Sequence, residues 1–424
     1  MTFVAFTGCA GCGKTHQLME HLSARCRRAP LPRGQKILAL TFMHGSRKRL
    51  EARLGQLDLA GAGFECTVVD RFAAQLLHRW RALAAHFGLG PFEDDDYDGR
   101  CAAAATLLGA EHVRQWVVAA YPIILLDEAH DLKPERLAIF EALEWVSDLY
   151  VAADGFQCLD PALRDSAALA WTTKDNRHTE LTQIHRTDKK GLLDAARALR
   201  EGQACPRSGA GFNAYADSKG PNFANFNAAM ALGTNKWTSA AIITPTMKSK
   251  HVLGLIERLQ EKPIGGKRPF GPYTITVETG PEKLADEIMN AMALPDRVSL
   301  IEAQGALEEH AQHLAARRTV LWLARQMRVV GKTEIGKEDL SAALHRQAKE
   351  SSRYAPSREI GLQAMTVHGA KNREFDGVVA LWPYEAGGDD EQKRRLLYNA
   401  ITRAKDWCTV ICMSDKQLKH PPFV

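Results

Sequence analysis

The sequence predicts an α/β fold in which parallel strands flanked by helices hold a phosphorylated ligand at a sheet edge. Three observations predict it. The first is GCAGCGKT at residues 8–15, set between an apolar run, FVAF, and a helix-forming stretch, HQLMEHLSARC. The second is PIILLDEAHD at 122–131, a run suited to a fully buried strand that ends in acids. The third is SAAIITPTMKSK at 239–250, a second strand followed by helix-forming residues.

Composition frames these signals. A chain of 424 residues is long enough for about two to four domains, each with its own core. A hydrophobic fraction of 45% and a charged fraction of 25% are ordinary for a globular protein in water. The net charge of +5 permits a nucleic-acid partner without demanding one. The N-terminus shows no basic n-region and apolar h-region, so no secretory signal is expected. The longest apolar stretches, such as VVAAYPIILL, are about half a membrane span. A cytoplasmic location with no membrane partner is the expectation. Nine cysteines, an odd number scattered from Cys9 to Cys412, argue against a disulfide framework.

Two motifs overlap in the first segment. Cys9 and Cys12 form C-x-x-C, and Gly8, Gly13, Lys14 and Thr15 form the G-x-x-x-x-G-K-T phosphate loop. A zinc site needs about four ligands, and no second C-x-x-C or H-x-x-x-H pair complements the first. A thioredoxin-like pair would sit in a small βαβ domain with no need of Lys-Thr after it. The two cysteines are therefore expected to be loop residues with side chains pointing away from phosphate. The phosphate-loop reading requires strand, glycine loop and helix in that order, and Leu18, Leu22 and Cys26 recur at helical spacing. Gly8, Gly11 and Gly13 would let backbone N–H groups turn inward at a helix N-terminus. Lys14 would reach the β/γ-phosphates of ATP, the Thr15 hydroxyl would ligate Mg²⁺, and His16 would follow beside the nucleotide. At the acidic strand end, where α/β sheets bind ligands, Asp127 would hold Mg²⁺ through water. Glu128 would position and polarise the attacking water. This is the Walker B pattern.

With these two motifs in place, the chain resembles the UvrD/Rep-type superfamily-1 helicases, with further blocks in the family's order. ILALTFMHGSRKRLEARL (37–54) resembles a strand and basic helix that contact single-stranded DNA, with Thr41, Phe42 and Arg47 implied as contacts. Arg47, Lys48, Arg49 and Arg53 would supply phosphate contacts there. VVDRFAAQLL (68–77) resembles the next DNA-contacting segment, with Asp70 and Phe72 in register. YVAADGFQCLD (150–160) resembles the third motif, where Gln157 senses the γ-phosphate. LTQIHRT (181–187) matches the motif whose arginine, here Arg186, touches that phosphate. AMTVHGAKNREFDGVV (364–379) matches the fifth motif, with Thr366 and His368 toward nucleic acid and Glu374 toward ribose or metal. RRLLYNAITRAKDW (394–407) matches the sixth, with Arg403 as a second arginine finger.

The resemblance implies two RecA-like P-loop domains with small, mostly helical accessory insertions. The first domain covers 1–180, with a reduced insertion at about 78–120. The second covers 181–262 and 356–424, and a second reduced insertion covers 263–355. ATP and Mg²⁺ would bind between the two domains, and hydrolysis would open and close the cleft.

Several positions depart from the family pattern. The segment before the first strand supplies no adenine-reading glutamine. His185 stands where a tyrosine usually stacks on adenine. Cys158, Leu159 and Asp160 stand where aromatics usually stack on DNA bases, a contact worth ~1–3 kcal/mol per base. Asn372-Arg373-Glu374 replaces Gly-Leu-Glu.

Elsewhere the signals are bland. FEDDDYDGR (92–100) places Asp94, Asp96, Asp98 and Gly99 like half an EF-hand, but Ala105 stands where the bidentate Glu belongs. A solvated acidic loop is expected. His310 and His313 are expected on a solvated helix face, and 201–240 as an irregular connection.

The expected activity is a nucleic-acid-dependent ATPase, a DNA helicase or translocase with 3′-to-5′ polarity implied by resemblance, acting on single-stranded DNA or DNA ends. The alternative is a nucleotide-sensing subunit of a larger assembly with little unwinding of its own. Compact UvrD-like proteins paired with a nuclease, as in Gabija-type anti-phage systems, are its precedent. A partner nuclease or self-association is expected on that reading.

Overall fold

The computed structural model describes residues 1–42, 44–93, 96–216, 221–278, 280–354 and 360–424. The chain divides into two compact units, Met1–Val277 with Arg358–Val424, and Glu278–Ser357.

The larger unit holds two sheets. The first is built from β1 (Phe3–Gly8), β2 (Lys36–Thr41), β3 (Gly63–Val68), β4 (Ile123–Leu126), β5 (Asp148–Ala153) and β6 (His178–Leu181). Its order is β3-β2-β4-β5-β1-β6, and every pairing is parallel. A parallel sheet is covered on both faces, so its strands read as continuous apolar runs. In β4 all four residues are at most 1% exposed. Successive residues serve opposite faces. Ile123 and Leu125 pack with Leu18 and Leu22 of the helix Lys14–Arg28 and with Leu50 and Leu54 of the helix His44–Leu54. Ile124 and Leu126 pack with Phe72 and Leu76 of the helix Val69–Arg79 and with Phe140.

The second sheet uses β7 (Ser208–Gly209), β8 (Phe212–Ala216), β9 (Ser239–Thr244) and β10 (Ile275–Val277). After β11 (Arg297–Ser299) and β12 (Glu334–Gly336), which belong to the smaller unit, come β13 (Gly361–Thr366), β14 (Phe375–Trp382) and β15 (Ala404–Cys412). Its order is β10-β13-β9-β14-β15-β8-β7, parallel except for the short β7–β8 hairpin. Two core layers again sandwich the sheet: Ile243, Val378 and Val410 serve one, and Ile242, Val379 and Ile411 the other. The predicted α/β class, with two largely parallel sheets flanked by helices, is the class observed.

In the smaller unit β11 and β12 pair antiparallel. Ser299 and Glu302 form a reciprocal capping box that starts the helix Leu300–Glu308. Leu300, Leu307, Leu323, Leu340 and Leu344 form its core.

Three sequence expectations are corrected here. Residues 201–240 are not irregular: they contain β7, β8 and the helix Pro221–Thr234. Ala224, Ala228 and Ala229 are fully buried; small side chains, which read as loop composition, let this helix lie close against the sheet. In the acidic segment Asp94 lies outside the described residues. Asp96 accepts a hydrogen bond from Gly99 N (2.8 Å) and caps the helix Tyr97–Leu108. Asp98 pairs with Lys133 (2.8 Å) and Arg136 (2.5 Å), so these acids start a helix and bind cations rather than form a free loop. His310 and His313 lie in the turn between the helices Leu300–Glu308 and Leu314–Arg325, joined by a backbone bond of 2.9 Å, not on a helix face. No group of His, Cys, Asp or Glu among the described residues could hold a metal ion by itself. No helix among them is long and apolar enough to cross a membrane.

Candidate nucleotide cleft

The loop after β1 is shaped by its glycines. Gly8 sits at φ +141, and a β-carbon there would lie 2.2 Å from the Leu181 carbonyl oxygen. Gly11 sits at φ +78, where a β-carbon would stand 2.7 Å from that of Arg186. A side chain at either position would be both strained and obstructed. The helix Lys14–Arg28 starts at Gly13 with no side-chain cap and no acid in its first turn. Its first N–H groups, which carry the positive end of the helix dipole, are left for an anion.

Lys14 is 9% exposed. Its ammonium donates to the carbonyls of Gly8 (3.0 Å) and Cys9 (2.9 Å) and lies 3.7 Å from Asp154 Oδ2. The Thr15 hydroxyl donates to Asp127 Oδ2 (3.2 Å), joining two motifs 112 residues apart. Burial pushes the Asp127 and Glu128 carboxyls up. Arg53 and Lys14 oppose it at Asp127, and His130 opposes it at Glu128. Glu128 occupies the left-handed region, φ 62 and ψ 40, unusual for a residue with a β-carbon. Its Oε2 is 3.5 Å from His130 Nδ1, which accepts from Asp154 N (3.1 Å).

Asp154, at the end of β5, anchors the next layer. Its carboxylate accepts from Gln157 Nε2 (2.8 Å) and Arg200 Nη1 (2.9 Å). Burial opposes ionisation there, but Lys14 and Arg200 hold the carboxyl below its usual range. Gln157 Oε1 in turn accepts from Arg403 Nη2 (2.9 Å). Arg403 is 3% exposed, and burial together with the nearby Arg186 brings its guanidinium down to about 10. Arg186 donates to the Thr402 carbonyl (2.7 Å) and to Glu374 Oε1 (2.7 Å). Burial works against the Glu374 charge, yet Arg186 and Lys405 hold its carboxyl low. The backbone N–H of His185 donates to the Gly11 carbonyl (2.8 Å).

Many of these groups line one cleft of about 610 Å³. From the first sheet come Gly11, Gly13, Lys14, Thr15, His16, Asp127, Glu128 and Gln157. The segment after β6 brings His185 and Arg186, and the second sheet's motifs bring Glu374 and Arg403. Gly8 closes the loop just behind. Arg49 and Arg53, expected on a polymer, face this cleft instead, as does Asn372. Asn372 has φ 60, which explains how it replaces a glycine: asparagine tolerates the left-handed region better than most residues.

The residues expected on nucleic acid are not gathered in the same way. Thr41 is 1% and Phe72 2% exposed, so both belong to the core; Phe72 is buried because it lies on the apolar stripe Val69, Phe72, Ala73, Leu76. Asp70 is engaged by Arg136 at 2.7 Å. Phe42 is partly buried against the first sheet, and Arg47 lies 3.8 Å from Glu51. Thr366 Oγ1 accepts from Gly369 N (3.1 Å), and His368 is exposed.

Sequence reasoning missed several links between the two sheets' motifs. Tyr398 Oη accepts from Ala10 N (2.8 Å). Lys371 Nζ is 2.7 and 2.6 Å from the two carboxylate oxygens of Asp131. Leu159 is 2% exposed and packs into the second sheet's core, where Gln392 Nε2 donates to its carbonyl (2.8 Å). The missing aromatics at 158–160 were the available signal: an apolar, uncharged pair there is what a packing role requires. Cys12 is 3% exposed with its sulfur 4.0 Å from Lys14 Nζ, and neither it nor Cys9 is among the residues that line the cleft.

Comparison with known proteins adds the following. Residues 361–411 match the model of the UvrD-like helicase C-terminal domain. No curated protein sequence matches the chain. Among solved structures, the helicase of PRRSV is 12% identical with a TM-score of 0.39, over 100% of this chain and 55% of that one. An arterivirus nonstructural protein 10 helicase, solved with DNA, is 11% identical with a TM-score of 0.36, over 98% of this chain and 62% of that one. The chain thus spans about three fifths of those proteins' length. On its ordered motifs and on the matched segment, the chain resembles the UvrD/Rep-type superfamily-1 helicases, its residues 361–411 being similar to the UvrD-like helicase C-terminal domain.

Proposed function

We propose that the protein is a nucleic-acid-dependent ATPase of the helicase or translocase kind, hydrolysing ATP between its two sheets. One observation carries this reading: groups that bind, orient and neutralise a triphosphate converge on one cleft from motifs spread over almost 400 residues, from Lys14 to Arg403. Phosphoryl transfer is catalysed mainly by positioning and charge stabilisation. In our reading Lys14 exchanges its loop carbonyls for β/γ-phosphate oxygens. Glu128, held by its backbone and beside His130, orients the attacking water and takes its proton. Arg186 and Arg403 stabilise the charge that develops on the transferred group. Gln157, bonded to both Asp154 and Arg403, ties the two halves to the same phosphate. The Thr15 hydroxyl and Asp127 carboxylate, 3.2 Å apart beside Lys14, fit a small cation that prefers oxygen ligands. Mg²⁺ held there would neutralise phosphate oxygens. The unit Glu278–Ser357 corresponds on this reading to the second accessory insertion, expected over 263–355; residues 263–277 stay with the larger unit, where β10 pairs with β13.

The test is the ATPase rate with single-stranded DNA, duplex DNA, RNA and no polymer. Strong stimulation by one polymer is expected, and single-stranded DNA with 3′-to-5′ movement is the form the resemblance favours. A flat response would overturn the motor reading. It would favour a second one, a nucleotide-sensing subunit that works with a nuclease or another copy, for example in anti-phage defence. The burial of Thr41, Phe72 and Leu159 supports that alternative, because it removes surface on which a strand would rest.

A further inference from the structure

The phosphate loop contains a chemical feature that nucleotide hydrolysis does not use. Cys9 and Cys12 stand at the two ends of one turn, closed by a bond from Cys12 N to the Cys9 carbonyl (3.3 Å). The two thiols perturb each other, Cys12 raising Cys9 and Cys9 lowering Cys12. Cys9 is the only cysteine of the nine that is not buried. It borders a cavity of about 230 Å³, shared with Arg186, Arg200 and Tyr398. Cys12 lies deeper, 4.0 Å from the Lys14 ammonium.

We propose that Cys9 and Cys12 are a modification site: a peroxide converts them to a disulfide that closes the phosphate loop to nucleotide, and a thiol reductant reopens it. The chemistry balances. The Cys12 thiolate attacks a peroxide oxygen; an S–O bond forms, the O–O bond breaks, and the leaving oxygen takes a proton to become water. The Cys9 sulfur then gives up its proton and attacks the Cys12 sulfenic sulfur. The S–S bond forms and the S–O bond breaks, releasing a second water. Two electrons pass from the sulfurs to the peroxide. Cys9, and the Lys14 ammonium 4.0 Å from the Cys12 sulfur, hold the Cys12 thiol below its ordinary range against burial, which favours Cys12 as the attacking sulfur.

The second half of the proposal rests on the nucleotide-binding reading given above. A cross-link between Cys9 and Cys12 would hold the Cys12 N–H on the Cys9 carbonyl. It would also hold that carbonyl against Lys14 Nζ, 2.9 Å away. An amide and an ammonium that phosphate needs would thereby stay on the loop itself.

The experiment treats the full chain with hydrogen peroxide, blocks remaining thiols with an alkylating agent and digests with trypsin. The peptide Met1–Lys14 contains both cysteines and no others. It should lose two hydrogens and resist alkylation, and dithiothreitol should restore the dithiol. In parallel, affinity for a fluorescent ATP analogue should fall by about tenfold or more on oxidation and recover on reduction. Cys9→Ser and Cys12→Ser should each abolish the closed peptide and the affinity ratio, while Cys26→Ser should keep both. A peptide that stays reduced, goes only to sulfinic acid, or pairs with another cysteine overturns the site. A closed peptide with unchanged affinity overturns the switch. If the reduced protein binds no ATP analogue, the nucleotide reading fails, and the peptide mass still decides the disulfide.

Discussion

The nucleotide cleft and the surface expected to hold a polymer are built on different principles. In the cleft, the predicted residues are charged or polar, follow strand ends, and engage one another directly: Thr15 with Asp127, Gln157 with Arg403, Arg186 with Glu374. On the expected polymer surface, Thr41 and Phe72 are sealed in the first sheet's core, and Asp70 is tied to Arg136. Motif identity therefore carries different weight in the two places. Chemistry at a γ-phosphate tolerates few side chains, and the motif residues expected there line one cleft. Contact with a strand uses broad surfaces, and a residue kept in register can serve packing instead.

The largest effect that would sharpen this contrast lies in the cleft. Arg403→Ala should lower turnover by ~10³–10⁵. Glu128→Gln should lower it by ~10²–10⁴ with ATP still bound. Both are read as single-turnover rates beside an equilibrium binding measurement. Near-normal turnover in Glu128→Gln would remove it from its assigned role. The next effect breaks the contrast if it fails. Phe72→Ala should cost about 3–5 kcal/mol of stability by denaturant titration, with any loss of strand affinity explained by unfolding. A variant of full stability with weakened strand binding would put Phe72 back on the polymer.

The smallest effect concerns the link between the two regions. Lys371→Ala leaves the Asp131 charge short of its partner and should cost about 1–3 kcal/mol, the pair being part-exposed. Burial opposes the Asp131 charge, but His130 and Lys371 hold its carboxyl below the ordinary range. A depressed carboxyl contributes stability that is present above its unfolded pKa and lost as pH falls through the folded one. The difference between wild type and Lys371→Ala should therefore be full near neutrality and shrink under acid conditions. A difference that grows on acidification would contradict the pairing.

Much of the cleft was legible because its signals are local. A glycine loop between strand and helix, and acids closing an apolar run, need no knowledge of distant neighbours. The pairing of Asp131 with Lys371, 240 residues apart, has no such local signature. Phe72 was misjudged for the reverse reason: the stripe Val69, Phe72, Ala73, Leu76 was readable as a buried helix face, and the register of a family motif outweighed it. The helix Pro221–Thr234 was missed because alanine, asparagine and glycine resemble a connection by composition. Only the sheet beneath explains why small side chains are needed there. Asp96 and Asp98 were assigned to solvent because their partners, the Gly99 amide, Lys133 and Arg136, become evident only in the folded chain.

The strand order of the two sheets also bears on how the protein is made. Every strand of the first sheet lies between Phe3 and Leu181, so that sheet can close while the ribosome is still making the remainder. The second sheet has no such freedom. Its β9 sits between β13 and β14, and β8 pairs with β15; as in the first sheet, where β1 pairs with β5 and β6, neighbours more than a hundred residues apart must meet, but here the pairing ends only with Cys412. Pairing over such separations is slow, and nascent domains tend to fold in order of synthesis. An early halt in translation would leave a finished phosphate loop attached to a half without its central strands, an exposed apolar template that invites aggregation.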